Sequence, residues 1–220
     1  MAPELSKPII YLITSGRTTA ETTRESPEFH EVLSLVRAAV QAKVTFLQIR
    51  EKHATDRTLF HLVRDASDIT RDKGTRILVN GRADIARAGN VDGVHLPTRS
   101  LPVDVVRKTF GEAFLIGAST HSVPEIVAAR ESGADFAVFG PVFDTPSKPE
   151  AVGLTKLREA AFAAAGFPLL ALGGVNPNNA RECFRAGASG VAAIRMFSDP
   201  EKLESTVKVL QAQFEEYVHE

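Results

Sequence analysis

The chain has 220 residues and a single cysteine, Cys183. One thiol excludes an intrachain disulfide and suits a reducing compartment. Cys183 lies in a helix-like stretch, Asn178 to Ala186, where a small core residue is the expected role. Long apolar runs are also missing. None approaches the ~18 residues that cross a bilayer as a helix. The opening residues Met1 to Pro8 are polar and lack the apolar core of a secretory signal, so the expected location is cytoplasmic. Charge of one sign is missing too: 26 Lys and Arg stand against 27 Asp and Glu, for a net charge of -1. That balance argues against nucleic acid or a membrane surface as the main partner, while homo-oligomer formation stays open. Finally, no Gly-rich dinucleotide loop follows the first strand-like run, because the turn there reads Thr14-Ser15-Gly16-Arg17. This weakens the doubly wound open sheet, the alternative architecture.

What the chain does have is a regular alternation of short apolar runs and helix-like runs. Strands are expected near Ile9–Ile13, Val44–Ile49, Ile77–Asn80, Gly93–Leu96, Phe114–Ala118, Phe136–Val142, Leu169–Leu172 and Gly190–Ile194. Most lack polar alternation, as strands buried on both faces do. Helical stretches include Phe29–Ala42, Leu59–Lys73, Val123–Ser132 and Leu203–Val218. Gly133, Gly166 and Gly187 end helical runs just before strands, the usual place of a C-cap glycine. The alternation predicts an α/β fold, a (β/α)₈ TIM barrel formed by residues 1–220 as a single domain.

Chemistry in such a barrel gathers where strands end. The second run contributes Gln48, Arg50 and Lys52, the third Asn80 and Arg82, the fourth His95, and the fifth Ser119 and His121. The loop after the sixth carries Asp144, Thr145, Ser147 and Lys148; the seventh ends in Gly173-Gly174 and the eighth in Ile194-Arg195. A cation-rich cluster in a near-neutral chain suits a small anionic ligand. Gln48, Arg50 and Lys52 alternate and so share one strand face, and if that face points into the barrel mouth they converge on one ligand; equally, they fit a salt-bridge cluster with Glu51 and Asp56. Gly173 and Gly174 fit a phosphate site, where glycine lets backbone N–H groups approach an anion, or simply a tight turn. A lone loop lysine such as Lys148 is usually solvated, and gains interest only if its loop covers the mouth.

Of the six histidines, His30, His53, His61 and His219 fall on helices or polar ends and read as surface residues. His95 lies inside a strand and reads as a hydrogen-bonded core residue. His121 follows the fifth strand and is placed where a neutral-pH acid or base belongs. The competing reading makes it a bystander beside Ser122 as helix cap.

Seven segments carry a resemblance. They are Leu47 to Lys52, Val79 to Ala86, Gly93 to Pro97, Gly117 to Ser122, Phe139 to Thr145, Ala171 to Val175, and Ala186 to Val191. In this order the chain resembles the family of thiamine phosphate synthases and thiazole tautomerases. For the synthase, the resemblance implies joining a pyrimidine methyl diphosphate to a thiazole phosphate, with Mg²⁺ carrying the diphosphate. The family's metal-binding Asp positions fall on Gly81 and Ser100 here, with Asp84 the nearest alternative carboxylate. For the tautomerase, it implies metal-free aromatisation of a carboxylated thiazole phosphate, a His at position 121, and the Asn80-Gly81-Arg82 and Leu96-Pro97 patterns present here. The resemblance is closer to the tautomerase branch. It implies His121 as the catalytic group and a phosphorylated thiazole as partner. No cofactor is expected, and Mg²⁺ only for a synthase. Gln48, Arg50, Lys52, Asn80, Arg82, Ser119, Thr145, Ser147, Lys148, Gly173, Gly174, Ile194 and Arg195 are expected to bind substrate. Arg82 is expected to take over part of the absent metal's charge. Arg195 departs from the family, where serine is usual. A catalytically idle, phosphate-ligand-binding regulator is a further reading.

Overall fold

A computed structural model describes residues 7–145, 150–164 and 166–220. Its strands are β1 (Ile9–Ile13), β2 (Phe46–Ile49), β3 (Arg76–Asn80), β4 (Gly93–Leu96), β5 (Leu115–Thr120), β6 (Phe136–Phe139), β7 (Leu169–Leu172) and β8 (Gly190–Ala193). They pair in parallel in chain order, and β1 closes on β8. The helices are α1 (Pro27–Gln41), α2 (Asp56–Thr70), α3 (Ala83–Ala88), α4 (Val103–Phe110), α5 (Val123–Glu131), α6 (Gly153–Ala164), α7 (Ala180–Arg185) and α8 (Leu203–Val218). The expected (β/α)₈ barrel is the observed fold. None of the described helices is long and apolar enough to cross a membrane.

Local sequence explains the elements. Pro27 opens α1, where its missing N–H costs nothing, and Phe29, Val32, Leu33, Val36 and Ala39 form its buried face. Thr55 caps α2 by accepting the Thr58 N–H at 3.1 Å. Gly133, Gly166 and Gly187 all take positive φ between a helix and the next strand, as their positions suggested.

Two hydrophobic layers result. One lies between strands and helices; the other fills the barrel and includes Ile9, Tyr11, Phe46, Leu78, Phe136 and Leu170. Phe46 stacks on Phe136 with ring centroids 4.9 Å apart, and Tyr11 meets both rings edge-on. This aromatic layer closes the barrel interior and makes a floor for the space above it.

Two strand ends differ from expectation in ways that shape the site. β5 runs to Thr120, which pairs with Phe139, so Ser119 sits on a strand and not in the following loop. β6 stops at Phe139 and not at Val142, because Pro141 has no N–H for the ladder. The chain beyond still follows β7: Val142 N–H donates to the Leu172 carbonyl at 2.8 Å and Phe143 N–H to that of Gly173 at 2.9 Å.

Candidate active site

A cavity of about 450 Å³ opens at the C-terminal ends of the strands. Gln48, Arg50, Lys52, Asn80, Ser119, His121, Thr145, Gly173, Gly174, Ile194 and Arg195 all line it, as does His95. Ser147 and Lys148 lie outside the described residues. Arg82 is not in the lining. Its guanidinium is held by Asp56 and Asp84, ion pairs that raise its pKa. It bridges the starts of α2 and α3 and does not face the mouth, so the expectation that it replaces a metal's charge finds no support in the geometry.

The donors are fixed in different ways. Gln48 donates its amide N–H to Asn80 Oδ1 at 2.9 Å, which leaves the Gln48 carbonyl and the Asn80 amide for a ligand. The strand alternation that was to align Gln48, Arg50 and Lys52 ends at Ile49, yet the following turn still brings all three to the cavity. Glu51 and Asp56 do not pair with Arg50: Asp56 holds Arg82, and Glu51 is buried against the loop after β1. Among the described residues neither Arg50 nor Arg195 forms an ion pair, so two guanidiniums face one cavity without carboxylate partners.

Gly173 and Gly174 have a packing reason of their own. Both have positive φ, and a Cβ on them would stand 2.6 Å from Pro141 Cα and 2.6 Å from Phe143 Cβ, respectively. The tight-turn reading is therefore correct as far as it goes. Asn179 donates to the Gly174 carbonyl at 3.1 Å and fixes the turn. The Gly174 N–H has no acceptor among the described residues, which leaves it for an anion.

The two mouth histidines differ sharply. His95 is 4% exposed and sits on the aromatic floor. Its Nε2 lies 2.9 Å from Ser119 Oγ, while Nδ1 has no partner. Burial lowers its pKa from 6.5 to about 3, so it stays neutral across the physiological range. Gly117 makes room for it: a Cβ there would lie 2.9 Å from His95 Nδ1 and 2.4 Å from Phe136 Cζ. His121 is exposed, and its Nδ1 bonds to the Gly140 carbonyl. A carbonyl only accepts, so Nδ1 carries a proton, and in the neutral ring Nε2 is the nitrogen with the lone pair. The bystander alternative fails in one detail: Ser122 makes no capping bond, and the Glu125 carboxylate instead accepts the His121 backbone N–H at 2.6 Å.

Gly81 and Ser100 prove to be neighbours. A Cβ on Gly81 would stand 3.9 Å from Ser100 Oγ, at the edge of the mouth beside Pro97. Neither Asp nor Glu lines the described cavity, and the described residues hold no group of three metal-binding side chains. Mg²⁺ takes hard carboxylate oxygens, and this donor set does not fit it. Asp84 is committed to Arg82. The residue that sequence reasoning overlooked is Glu51, seen only as a potential salt-bridge partner. Its flanking Arg50 and Lys52 carried the signal, and nothing in the sequence tied it to β1.

Similarity to known proteins identifies the family. The family model described as thiamine monophosphate synthase matches residues 10–197. A putative thiamine-phosphate synthase of Geobacter sulfurreducens is 40% identical over 187 residues, 83% of this chain and 87% of the relative. The thiamine-phosphate synthase of Chloroflexus aurantiacus is 35% identical over 182 residues, 81% of this chain and 83% of the relative. Among solved structures, a thiamine phosphate pyrophosphorylase from Pyrococcus furiosus superposes with a TM-score of 0.77 at 30% identity, covering 95% of this chain and 96% of that one. These names are those of synthases and give no support to the narrower tautomerase resemblance. The chain belongs to the thiamine monophosphate synthase family of thiamine biosynthesis.

Proposed function

We propose that this barrel acts on a phosphorylated thiazole and that its own chemistry is a metal-free proton transfer, the aromatisation of a carboxylated thiazole phosphate. The observation that supports this is the make-up of the mouth: guanidiniums, amides, hydroxyls and a histidine, with no carboxylate among the described residues. The phosphate rests at Gly173, Gly174, Ile194 and Arg195, where a free backbone N–H and a guanidinium bind it without a metal. Arg50, Lys52 and Asn80 orient the substrate carboxylate. His121 Nε2 takes the proton from the thiazole ring carbon, and the same nitrogen returns it to the exocyclic carbon. The Gly140 carbonyl keeps the ring in the tautomer this requires and steadies the imidazolium formed in between.

The second reading is the synthase, a transferase that joins hydroxymethylpyrimidine diphosphate to thiazole phosphate. The names of the relatives favour it. One experiment separates the two. The purified protein is incubated with the carboxylated thiazole phosphate in EDTA, and separately with both synthase precursors and millimolar Mg²⁺. Isomerisation in EDTA without thiamine phosphate formation is the expected result. Thiamine phosphate formation at ~1 s⁻¹ or more would establish the transferase and refute the proposal.

A further inference from the structure

Glu51 is 3% exposed, and no ion pair neutralises it among the described residues. Four uncharged donors solvate it instead. Oε1 accepts from the Thr14 hydroxyl at 2.6 Å and the Gly16 N–H at 3.2 Å. Oε2 accepts from the Thr18 N–H at 3.0 Å and the Thr18 hydroxyl at 2.8 Å. All four belong to the loop after β1, so a residue at the end of β2 holds the neighbouring strand's loop. Thr14 then passes the link back to the mouth: its hydroxyl oxygen accepts the Arg50 N–H at 2.9 Å while its proton goes to Glu51. The loop also runs close beside Arg50: a Cβ on Gly16 would lie 3.3 Å from the Arg50 carbonyl oxygen and 3.9 Å from its Nη1.

We infer that Glu51 is a positioning residue for the anion site: through Thr14 and the Gly16 loop it fixes the backbone and guanidinium of Arg50 at the mouth. The inference rests on the anion-binding reading of the mouth proposed above, and on neither of the two reactions. Its chemistry requires a carboxylate. Each oxygen accepts one backbone N–H, and a backbone N–H cannot reverse its direction as a hydroxyl can. Glutamine in this position sets its NH₂ against either Gly16 or Thr18. Glu51→Gln is therefore no rescue, unlike most such replacements at a surface.

The test uses the full chain and inorganic diphosphate as probe, with affinity measured by calorimetry. Glu51→Gln and Thr14→Val are each expected to weaken diphosphate binding roughly tenfold, with Thr14→Ser close to wild type. Adding Glu51→Gln to Arg50→Ala is expected to change affinity by less than about twofold, since a residue acting through Arg50 has nothing left to position. A purely structural residue gives a different pattern: lowered melting temperature in both backgrounds with affinity unchanged, or affinity losses that add. Either pattern overturns the assignment. A wild-type protein that binds no diphosphate overturns the anion-mouth reading together with this inference. A wild-type protein that binds, with Thr14→Val and any folded Glu51 variant binding equally well, overturns the Glu51 role alone.

Discussion

Acid should unfold this barrel partly through His95, and replacing that one residue should remove the corresponding share of the pH dependence. Burial beneath the mouth lowers the His95 pKa from 6.5 to about 3. Between those two values the unfolded chain binds a proton that the folded chain refuses. Stability is therefore complete above the unfolded value and falls as pH drops toward the folded one. At pH 4.5 the group is two units below its ordinary 6.5 and still above its folded value. At about 1.4 kcal/mol per unit, protonation of the unfolded chain costs roughly 3 kcal/mol there. No partner offsets that cost: Nδ1 has none, and Ser119 can serve the neutral ring as well as the charged one. The assay is denaturant unfolding of wild type and His95→Gln at pH 7 and pH 4.5. The wild type should lose roughly 2–3 kcal/mol more than the variant over this interval. Other titrating groups are common to both proteins and cancel in the difference. Equal losses, within about 0.5 kcal/mol, would mean that His95 accepts its proton in the fold, and that its burial is not the cause argued here.

His121→Gln keeps a hydrogen-bonding side chain but has no basic nitrogen; it should bind the thiazole phosphate nearly normally and lose roughly 10²–10⁴ in turnover, measured by isomerisation kinetics. Arg82→Ala removes exposed ion pairs to Asp56 and Asp84 and nothing from the mouth; phosphate-ligand affinity should stay within about twofold, and a larger loss by calorimetry would show that the arginine turns inward on binding. Gly117→Ala pushes a methyl group into Phe136 and the His95 ring; it should cost about 1–3 kcal/mol of stability by denaturant titration, and an unchanged midpoint would mean that the aromatic floor is loose.

The barrel was legible because its signals are local and repeated. Runs such as Leu169–Leu172 are apolar on both faces, and glycines such as Gly187 stop each preceding helix where only positive φ continues the chain. Most of the mouth followed, because the C-terminal ends of barrel strands converge whatever the details of the loops. Direction was not legible. Arg82 follows Asn80 by two residues, as Arg50 follows Gln48, yet one faces α2 and α3 while the other faces the cavity. The difference lies in two carboxylates, Asp56 and Asp84, which become neighbours only through the packing of α2 beside α3. Glu51 was misread for the same reason: its donors are 33 to 37 residues away and belong to another strand's loop. Spacing along a chain reports which face of a strand a side chain can use, and it is silent on which neighbour captures it first.

That distinction bears on the reaction. Among the described residues Arg50 and Arg195 stay without ion pairs, and nearby carboxylates are satisfied elsewhere: Glu51 by four loop donors, Asp56 and Asp84 by Arg82. Arg82 and these acids lie outside the described cavity lining, where the cationic side chains are Arg50, Lys52 and Arg195. On the function proposed above, such a cavity suits an anion carrying its own phosphate and carboxylate. In that reading the absence of aspartates at positions 81 and 100 leaves a mouth that binds anions through guanidiniums, amides and hydroxyls rather than through a carboxylate-held metal.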